Sequence, residues 1–186
     1  MKHILIAVSG PSGVGKGTIV KTLVKRREDV VESVSCTTRA PREGEINGRE
    51  YFFLSKEEFL KRVDEGDFLE YDEHFGNYYG TPKSFVKQML QEKSVILEID
   101  VVGALNAKKA FPDCVLVMIA PPSLEELKRR LTGRNSETYE QIESRLSRLE
   151  YELSQKDKYD FVIVNDHLED AIQAFSDIID THTKAE

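Results

Sequence analysis

The sequence contains few cysteines, no long apolar run and no excess of positive charge. Its two cysteines, Cys36 and Cys114, are too few for a disulfide framework, so we expect both to be reduced and buried. No apolar segment approaches the roughly 20 residues of a membrane-spanning helix. The apolar stretch at residues 4–8 is shorter than the core of a secretory signal peptide, which takes about 7–15 residues. These absences together predict a soluble cytoplasmic protein.

The charge balance excludes proteins that coat nucleic acid. Asp and Glu number 33 against 26 Lys and Arg, which gives a formal charge of −7. Non-specific binding to DNA or RNA needs a strong positive excess, and so does a basic helix on a membrane surface. An acidic protein can still bind an anionic small molecule, because a few well-placed cations suffice. We therefore expect no nucleic-acid or membrane partner, while the oligomeric state stays open.

The length and the distribution of apolar residues predict one compact α/β domain. A chain of 186 residues, 40% of them hydrophobic, is long enough for one globular core. Short apolar runs rich in β-branched residues predict strands buried on both faces at residues 4–8, 95–99, 115–120 and 161–164. Helical patterns occur at residues 15–25, 101–110, 123–131, 138–155 and 168–179. This alternation is typical of a doubly wound parallel sheet.

The segment of about residues 34–81 interrupts this alternation and predicts an insertion of mixed α+β structure with antiparallel strands. Its strands and its helix are indicated at residues 51–53, 68–71 and 55–63. The dipeptide Asn47-Gly48 predicts a hairpin turn. Ser55 and Glu58 have the spacing of a capping box, which predicts where the helix begins.

A polar break at residues 132–138 lies between two predicted helices and has the composition of a mobile lid. We therefore divide the single domain into a core, an insertion and a helical lid. The core comprises about residues 1–33, 82–128 and 157–186, the insertion about 34–81 and the lid about 129–156.

The most specific motif is a glycine-rich loop between the first predicted strand and the first predicted helix. It matches the pattern Gly-x4-Gly-Lys and consists of Gly10, Pro11, Ser12, Gly13, Val14, Gly15, Lys16, Gly17 and Thr18. Such a loop points successive backbone N–H groups at phosphate oxygens, and the helix that follows adds its positive end. Lys16 supplies a cation for the β- and γ-phosphates. The sequence therefore predicts a P-loop fold with an ATP site.

Gly17 departs from the usual form of this motif, which has serine or threonine directly after the lysine to help hold Mg²⁺. Thr18 is the next residue. The sequence leaves open whether its hydroxyl contacts the metal directly, through water or not at all.

Six segments, in this order, resemble the guanylate kinase family over essentially the whole chain. They are Gly10–Thr18, Ser35–Arg42, Gly44–Tyr51, Gly76–Thr81, Ile99–Asp100 and Ile163–Asp166. The segments around Arg39 and Tyr79 are specific to that family, whereas the glycine loop alone is not. The resemblance implies ATP and GMP as small-molecule partners. It implies in-line transfer of the γ-phosphoryl group from ATP to GMP, and to dGMP as a second substrate, with Mg²⁺ as cofactor.

The resemblance implies a GMP site made of Ser35, Arg39, Arg42, Tyr51, Glu70, Tyr79, Thr81 and Asp100. Guanidinium forks and phenolic hydroxyls suit a phosphate, so the arginines and tyrosines of this set would bind the GMP phosphate. The Glu70 carboxylate would accept hydrogen bonds from guanine N1–H and the 2-amino group, with the Ser35 and Thr81 hydroxyls beside it. A site built for those donors rejects AMP by a factor on the order of 10⁴ or more.

The resemblance also implies which residues act on the transferring phosphoryl group. The family's catalytic cations are matched by Lys16, Arg39, Arg130, Arg134 and Arg145. The last three lie on or beside the predicted lid and would act as arginine fingers in cis. Asn165 matches a residue near the adenine base, and the alternative is a residue that merely ends a strand.

Two carboxylates lie at the carboxyl end of the second apolar run, where ligands of open α/β sheets gather, and Asp100 matches the acidic position that the family has there. Asp100 would either orient Mg²⁺-bound water, with Thr18 nearby, or touch the guanine amino group. Glu98 lies two residues earlier on the same face of the strand, and a structural ion pair is an equally good interpretation.

Two other functions fit parts of this pattern. Guanylate-kinase-like domains of scaffold proteins bind phosphopeptides and have lost catalysis, but they usually lack the loop lysine that Lys16 supplies here. A P-loop kinase for adenylate or a phosphorylated sugar would share the glycine loop. The segments around Glu70 and Tyr79 argue against that second alternative.

Overall fold

The computed structural model describes residues 2–11, 13–74, 76–123, 125–126, 147 and 149–184. The strands in these ranges are β1 (Leu5–Ser9), β2 (Val30–Glu32), β3 (Cys36–Thr37), β4 (Phe52–Phe53), β5 (Phe68–His74), β6 (Asn77–Pro82), β7 (Ser94–Glu98), β8 (Val115–Ala120) and β9 (Phe161–Val164). The helices are α1 (Lys16–Arg26), α2 (Lys56–Asp64), α3 (Lys83–Met89), α4 (Val101–Ala110) and α5 (Leu168–Thr183).

The central sheet has the strand order β2-β7-β1-β8-β9, and all of its neighbouring strands are parallel. This confirms the predicted α/β class with a parallel sheet. The sequence patterns missed β2, because its three residues end on a charged side chain, Glu32, and give no continuous apolar run.

Helices cover both faces of this sheet, which explains the continuous apolar runs of its inner strands. Every second side chain of β1 and β8, such as Ile6 and Val117, points to one face of the sheet and packs with α1 and α5. The side chains between them, such as Leu5 and Leu116, point to the other face and pack with α3 and α4. The two-residue period of a strand therefore divides the core into two layers.

A second sheet of order β4-β3-β6-β5 is built from the predicted insertion. Strands β3 and β5 each pair with β6 antiparallel, as expected, but β3 and β4 are parallel. The hairpin predicted at Asn47-Gly48 is therefore wrong. Gly48 does have a positive φ of 83°, but the turn only folds a loop, in which the Asn47 side chain accepts a hydrogen bond from Phe53 N–H at 2.8 Å. Parallel strands need a crossover rather than a two-residue turn.

Local capping fixes where two of the helices begin. The Ser55 hydroxyl accepts a hydrogen bond from Glu58 N–H, and the Glu58 carboxylate accepts one from Ser55 N–H, so the predicted capping box starts α2. Asp100 caps α4, because its carboxylate accepts a hydrogen bond from Gly103 N–H at 2.8 Å. None of the described helices is both long enough and apolar enough to span a bilayer.

The predicted lid lies largely outside the described residues. This holds for the candidate residues Arg130, Arg134 and Arg145, and Ser12 of the glycine loop is also outside them. Residues 149–154, at the end of the predicted lid, are helical, and Leu149 among them is buried.

A buried hydroxyl pair ties the end of β1 to the approach to β9. Ser9, the last residue of β1, shares a short hydrogen bond with the hydroxyl of Tyr159, 150 residues later in the chain. The Ser9 side chain is fully buried, and Tyr159 is 9% exposed. Burial raises the pKa of Tyr159 to about 12, so the phenol stays protonated and able to donate at neutral pH.

Removing the Tyr159 hydroxyl should destabilise this junction. In Tyr159→Phe the buried Ser9 hydroxyl loses its partner, so we expect the free energy of unfolding to fall by about 1–3 kcal/mol. Urea unfolding measures this change. The control is Tyr151→Phe, because Tyr151 is 50% exposed, and a surface change of this kind stays within about 0.5 kcal/mol. Equal stability of the two variants would contradict the structural role of the hydroxyl pair.

Candidate active site

The glycine-rich loop leaves β1 at the carboxyl edge of the central sheet and passes very close to β8. Gly10 has a φ of 143°, and a Cβ atom at this position would lie 2.1 Å from the carbonyl oxygen of Ile119. No other residue fits there, because both the backbone angle and the space exclude a side chain. The loop is thereby held against β8.

Asn165, directly after β9, supports the same loop from the other side. Its amide nitrogen donates a hydrogen bond to the Val14 carbonyl at 2.8 Å, and its side chain is buried. A Cβ atom at Gly15, where φ is 97°, would come within 2.6 Å of that amide nitrogen. Asn165 therefore stabilises the loop. The sequence suggests either a residue near adenine or a residue that ends a strand, and neither interpretation includes this role.

Lys16 opens α1 and folds back over the loop. Its ammonium group donates hydrogen bonds to the carbonyl oxygens of Gly10 at 2.5 Å and Pro11 at 3.4 Å. The charge is thus held above the loop, at the positive end of the helix.

A cavity of about 440 Å³ opens in front of this loop. Its described lining includes Pro11, Gly13, Gly15, Lys16, Gly17, Thr18, Lys21 and Glu98. The Glu98 carboxylate lies close to Gly17, because a Cβ atom added at Gly17 would be 3.4 Å from it. Position 17, which usually carries the hydroxyl of a serine or threonine in this motif, therefore faces a carboxylate here. Thr18 is exposed on the same cavity.

A second cluster lies on the insertion and is organised by Arg39. The guanidinium group donates to both Glu45 oxygens at 2.9 and 3.0 Å, and the same carboxylate accepts a hydrogen bond from Arg42 N–H at 2.7 Å. These contacts hold the pKa of Glu45 below its usual range, chiefly through the Arg39 hydrogen bond, so the carboxylate is ionised at neutral pH. The cluster therefore contains a preformed ion pair.

Aromatic rings surround this ion pair. The guanidinium carbon of Arg39 lies 5.5 Å from the centre of the Tyr51 ring, within range of a cation–π interaction. The Tyr51 and Tyr79 rings meet edge to face at 6.0 Å. Burial raises the pKa of Tyr51, whereas the positive charges of Arg39 and Arg42 lower it in part. The predicted residues Arg39, Arg42, Tyr51 and Tyr79 are thus brought together.

A cavity of about 450 Å³ lies beside this cluster. Its described lining includes Lys21, Glu32, Ser33, Val34, Ser35, Glu45, Arg49, Glu50, Tyr51 and Glu98. Ser35 precedes β3, and the pairing of Cys36 with Gly80, continued by one residue, sets Ser35 opposite Thr81. The strand pairing therefore places Thr81 of β6 next to Ser35, which lines the cavity.

Glu70, Thr81 and Asp100 meet where β5 packs on α4. The Thr81 hydroxyl donates to the Glu70 carboxylate at 2.6 Å. A Cβ atom at Gly103 would lie 3.2 Å from Glu70 and 3.3 Å from Asp100, so both carboxylates crowd this glycine. Burial raises the pKa of Glu70, the Thr81 hydrogen bond opposes this, and the Asp100 charge raises it further.

Some residues of this region are absent from the sequence-based candidates, among them Glu45, Lys21, Glu32 and Tyr159. Glu45 lies within a family-like segment, six residues after Arg39, and that spacing is its only signal. Lys21, Glu32 and Tyr159 belong to no motif. Their positions follow from packing between elements that are far apart in the chain.

Comparisons with known proteins show which family the chain resembles. The family model described as "Guanylate kinase" matches residues 2–182. The chain is 51% identical over 179 residues to a guanylate kinase of Clostridium perfringens (strain SM101 / Type A), covering 96% of this chain and 83% of that one. It is 48% identical over 180 residues to one of Bacillus anthracis, covering 96% and 88%.

A solved structure is also similar. The crystal structure of guanylate kinase from Anaplasma phagocytophilum superimposes with a TM-score of 0.76 at 33% identity, covering 98% of this chain and 87% of that chain.

The crowding of Glu70 predicts a stability effect that depends on pH. Because the folded-state pKa of Glu70 is raised above its ordinary 4.5, the folded state binds more protons than the unfolded state at and above that pH. Its stability then falls as pH rises through the folded pKa. We expect Glu70→Gln to be more stable than wild type at pH 8, with the advantage shrinking as pH falls towards about 4.

Urea unfolding of both proteins across this pH range measures the effect. Glu43→Gln is the matched control, because Glu43 is exposed and the same charge is removed. A difference between Glu70→Gln and wild type that stays constant with pH would contradict the raised pKa.

Proposed function

This chain belongs to the guanylate kinase family and transfers a phosphoryl group from ATP to GMP, and we propose that the two cavities described above hold the two nucleotides. One observation supports this proposal above the others: the cavity at the glycine loop and the cavity beside Arg39 and Tyr51 share two lining residues, Lys21 and Glu98. Nucleotides in these cavities would therefore meet phosphate to phosphate.

We propose that the ATP phosphates lie on the loop from Gly10 to Thr18. Backbone N–H groups of the loop and the positive end of α1 would bind the non-bridging oxygens. Lys16 would exchange its hydrogen bonds to the Gly10 and Pro11 carbonyls for bonds to the β- and γ-phosphates. Asn165 would contribute to ATP binding indirectly, by holding the loop in place. It could also contact adenine directly.

The loop cavity has the donor chemistry that Mg²⁺ prefers. The Thr18 hydroxyl and the Glu98 carboxylate both line it and offer hard oxygen ligands, directly or through water. A bound Mg²⁺ ion would neutralise charge on the β- and γ-phosphate oxygens. Asp100 lies beside Glu70 and caps α4, which favours its alternative role towards the guanine amino group.

We propose that the GMP phosphate binds between Arg39, Arg42, Tyr51 and Tyr79. Arg39 offers a planar fork that now holds Glu45, and a phosphate would compete for the same donors. Glu45 would keep the guanidinium oriented before GMP binds, which lowers the entropy lost on binding.

Guanine recognition is proposed for Glu70, with Ser35, Thr81 and Asp100. The Thr81 hydroxyl occupies one Glu70 oxygen, so the carboxylate is fixed while its second oxygen and remaining lone pairs can accept from guanine N1–H and the 2-amino group. Adenine lacks this donor pair and would leave a buried carboxylate unpaired. None of these contacts involves the ribose 2′-hydroxyl, so we propose dGMP as a second substrate.

The chemical step needs positioning rather than a nucleophilic side chain. An oxygen of the GMP phosphate attacks the γ-phosphorus, the bond from that phosphorus to the β–γ bridging oxygen breaks, and ADP leaves. The attacking oxygen is already anionic, so no general base is required. We propose that Arg130, Arg134 and Arg145 close over the phosphates on a lid at about residues 129–156, which would also exclude water.

We propose, further, that the chain is divided into a core that binds ATP, an insertion at about 34–81 that binds GMP and a lid that closes over both.

We propose a cytoplasmic location because of the two thiols. Cys36 and Cys114 are free and buried in separate core clusters. Such thiols need no oxidising compartment.

The proposed base recognition predicts strict selectivity. In a coupled assay of ADP release, we expect turnover with GMP and dGMP, and for AMP a kcat/KM lower by a factor on the order of 10⁴. UMP and CMP are tested in the same assay, and we expect no turnover with either. Comparable turnover of AMP would contradict the assignment of Glu70 to guanine.

The proposed phosphate site predicts a selective effect of Arg39→Ala. Loss of a charge-assisted hydrogen bond to the GMP phosphate should raise the KM for GMP by about 10- to 100-fold. The KM for ATP should stay close to that of wild type. Arg26→Ala is the control, because Arg26 is an exposed partner of Glu169 at the far end of α1. If Arg39→Ala raised only the KM for ATP, the assignment of Arg39 to the GMP phosphate would be contradicted, and the residue would belong to the ATP site.

A further inference from the structure

Lys21 lies at the junction of the two cavities. It follows Gly17 and Thr18 by four and three residues on α1, so the three positions share one helix face. That face looks into the loop cavity, and Lys21 also lines the cavity that contains Ser35 and Tyr51. Among the described lining residues, Lys21 is the basic side chain common to both cavities.

The ammonium group of Lys21 is available for a ligand. Lys21 is exposed and forms no hydrogen bond or ion pair with any residue that the structure describes. Lys16 and Arg39 differ from it, since the first is bound to loop carbonyls and the second to Glu45. A phosphate would therefore bind Lys21 without first breaking an internal contact.

Two carboxylates flank Lys21 from the sheet. Glu32 pairs with Ile96 in the register of β2 and β7, and Glu98 lies two residues beyond Ile96 on the same face. Both therefore project towards α1 from the carboxyl ends of adjacent strands. Burial raises the pKa of Glu32, the Glu98 charge raises it further, and the Lys21 charge lowers it.

This arrangement makes sense if a cation is required between the nucleotides. Glu32 and Glu98 repel phosphates, yet both border the space through which the phosphoryl group would pass. Their charges also attract the Lys21 ammonium towards that space, although neither carboxylate forms an ion pair with it. A cation held there offsets the repulsion between the anionic ATP γ-phosphate and the anionic GMP phosphate as they approach.

We propose that Lys21 donates hydrogen bonds to phosphate oxygens at the junction and positions the transferring group between the nucleotides, with Glu32 as a residue that orients it. No bond to Lys21 forms or breaks: its N–H groups contact non-bridging oxygens while the γ-phosphoryl group of ATP moves to GMP, which leaves ADP and GDP. This inference rests on the proposed placement of ATP and GMP in the two cavities.

The probe for this role is a bisubstrate inhibitor in which adenosine and guanosine are joined through five phosphates. It spans both cavities, whereas ADP and GMP each occupy one. In Lys21→Met we expect the affinity for the bisubstrate to fall by about 10- to 100-fold, the loss typical of a charged hydrogen bond. Affinities for ADP and GMP alone, measured by calorimetry, should stay within about 2-fold of wild type, because the proposed contact is to the phosphoryl group between the two nucleotides, which both ADP and GMP lack.

Turnover gives an independent readout. We expect kcat of Lys21→Met to fall by about 10- to 100-fold while both KM values change little, because the contact forms only when both phosphates are present. Lys21→Arg keeps the charge and should restore part of kcat. Glu32→Gln should lower kcat less than Lys21→Met does. In the double variant with Lys21→Met, Glu32→Gln should have little further effect, because Glu32 acts through Lys21.

Lys25→Met is the matched control, because Lys25 is an exposed lysine one turn further along α1. If Lys21→Met and Lys25→Met bind the bisubstrate equally well, the proposal is overturned. It is also overturned if Lys21→Met weakens ADP or GMP alone as much as the bisubstrate. The placement of the nucleotides is tested separately by Arg39→Ala with GMP, so its failure is distinguishable from a failure of Lys21.

Discussion

The loop after β1 has no room for side chains at two of its glycines, and the rest of the site depends on that constraint. At Gly10 the space of a Cβ atom is occupied by the Ile119 carbonyl, and at Gly15 by the Asn165 amide. The loop is thereby fixed to β8 and to the end of β9. Lys16 and the start of α1 line the same cavity as this fixed loop.

Carboxylates in this acidic protein lie beside the cations of the proposed phosphate sites. Glu45 holds Arg39 by two hydrogen bonds, and Glu32 and Glu98 flank Lys21. The negative formal charge of the chain therefore does not oppose nucleotide binding locally. Glu45 orients the long Arg39 side chain before phosphate arrives, so Arg39 loses less conformational freedom on binding.

Local patterns predicted local structure well. The bounds of β8, β9 and α4 follow directly from continuous apolar runs and helical periodicity, and the capping box of Ser55 and Glu58 starts α2. The pattern failed at β2, which is too short to show a period, and at Asn47-Gly48, where the turn signal was present but the flanking strands are parallel. A turn signal specifies a backbone shape and does not specify which strands pair.

The sequence by itself determined the glycine loop, the strand–loop–helix order and the family, because these depend on neighbouring residues. Tertiary structure alone decided which distant groups lie together. The Asn165 amide bonds the Val14 carbonyl across 151 residues, and Tyr159 bonds Ser9 across 150. Lys21 lines one cavity with Glu32 and Glu98. The reason is physical. These contacts follow from strand order and register, which arise from burial of the whole core and leave no periodic trace along the chain.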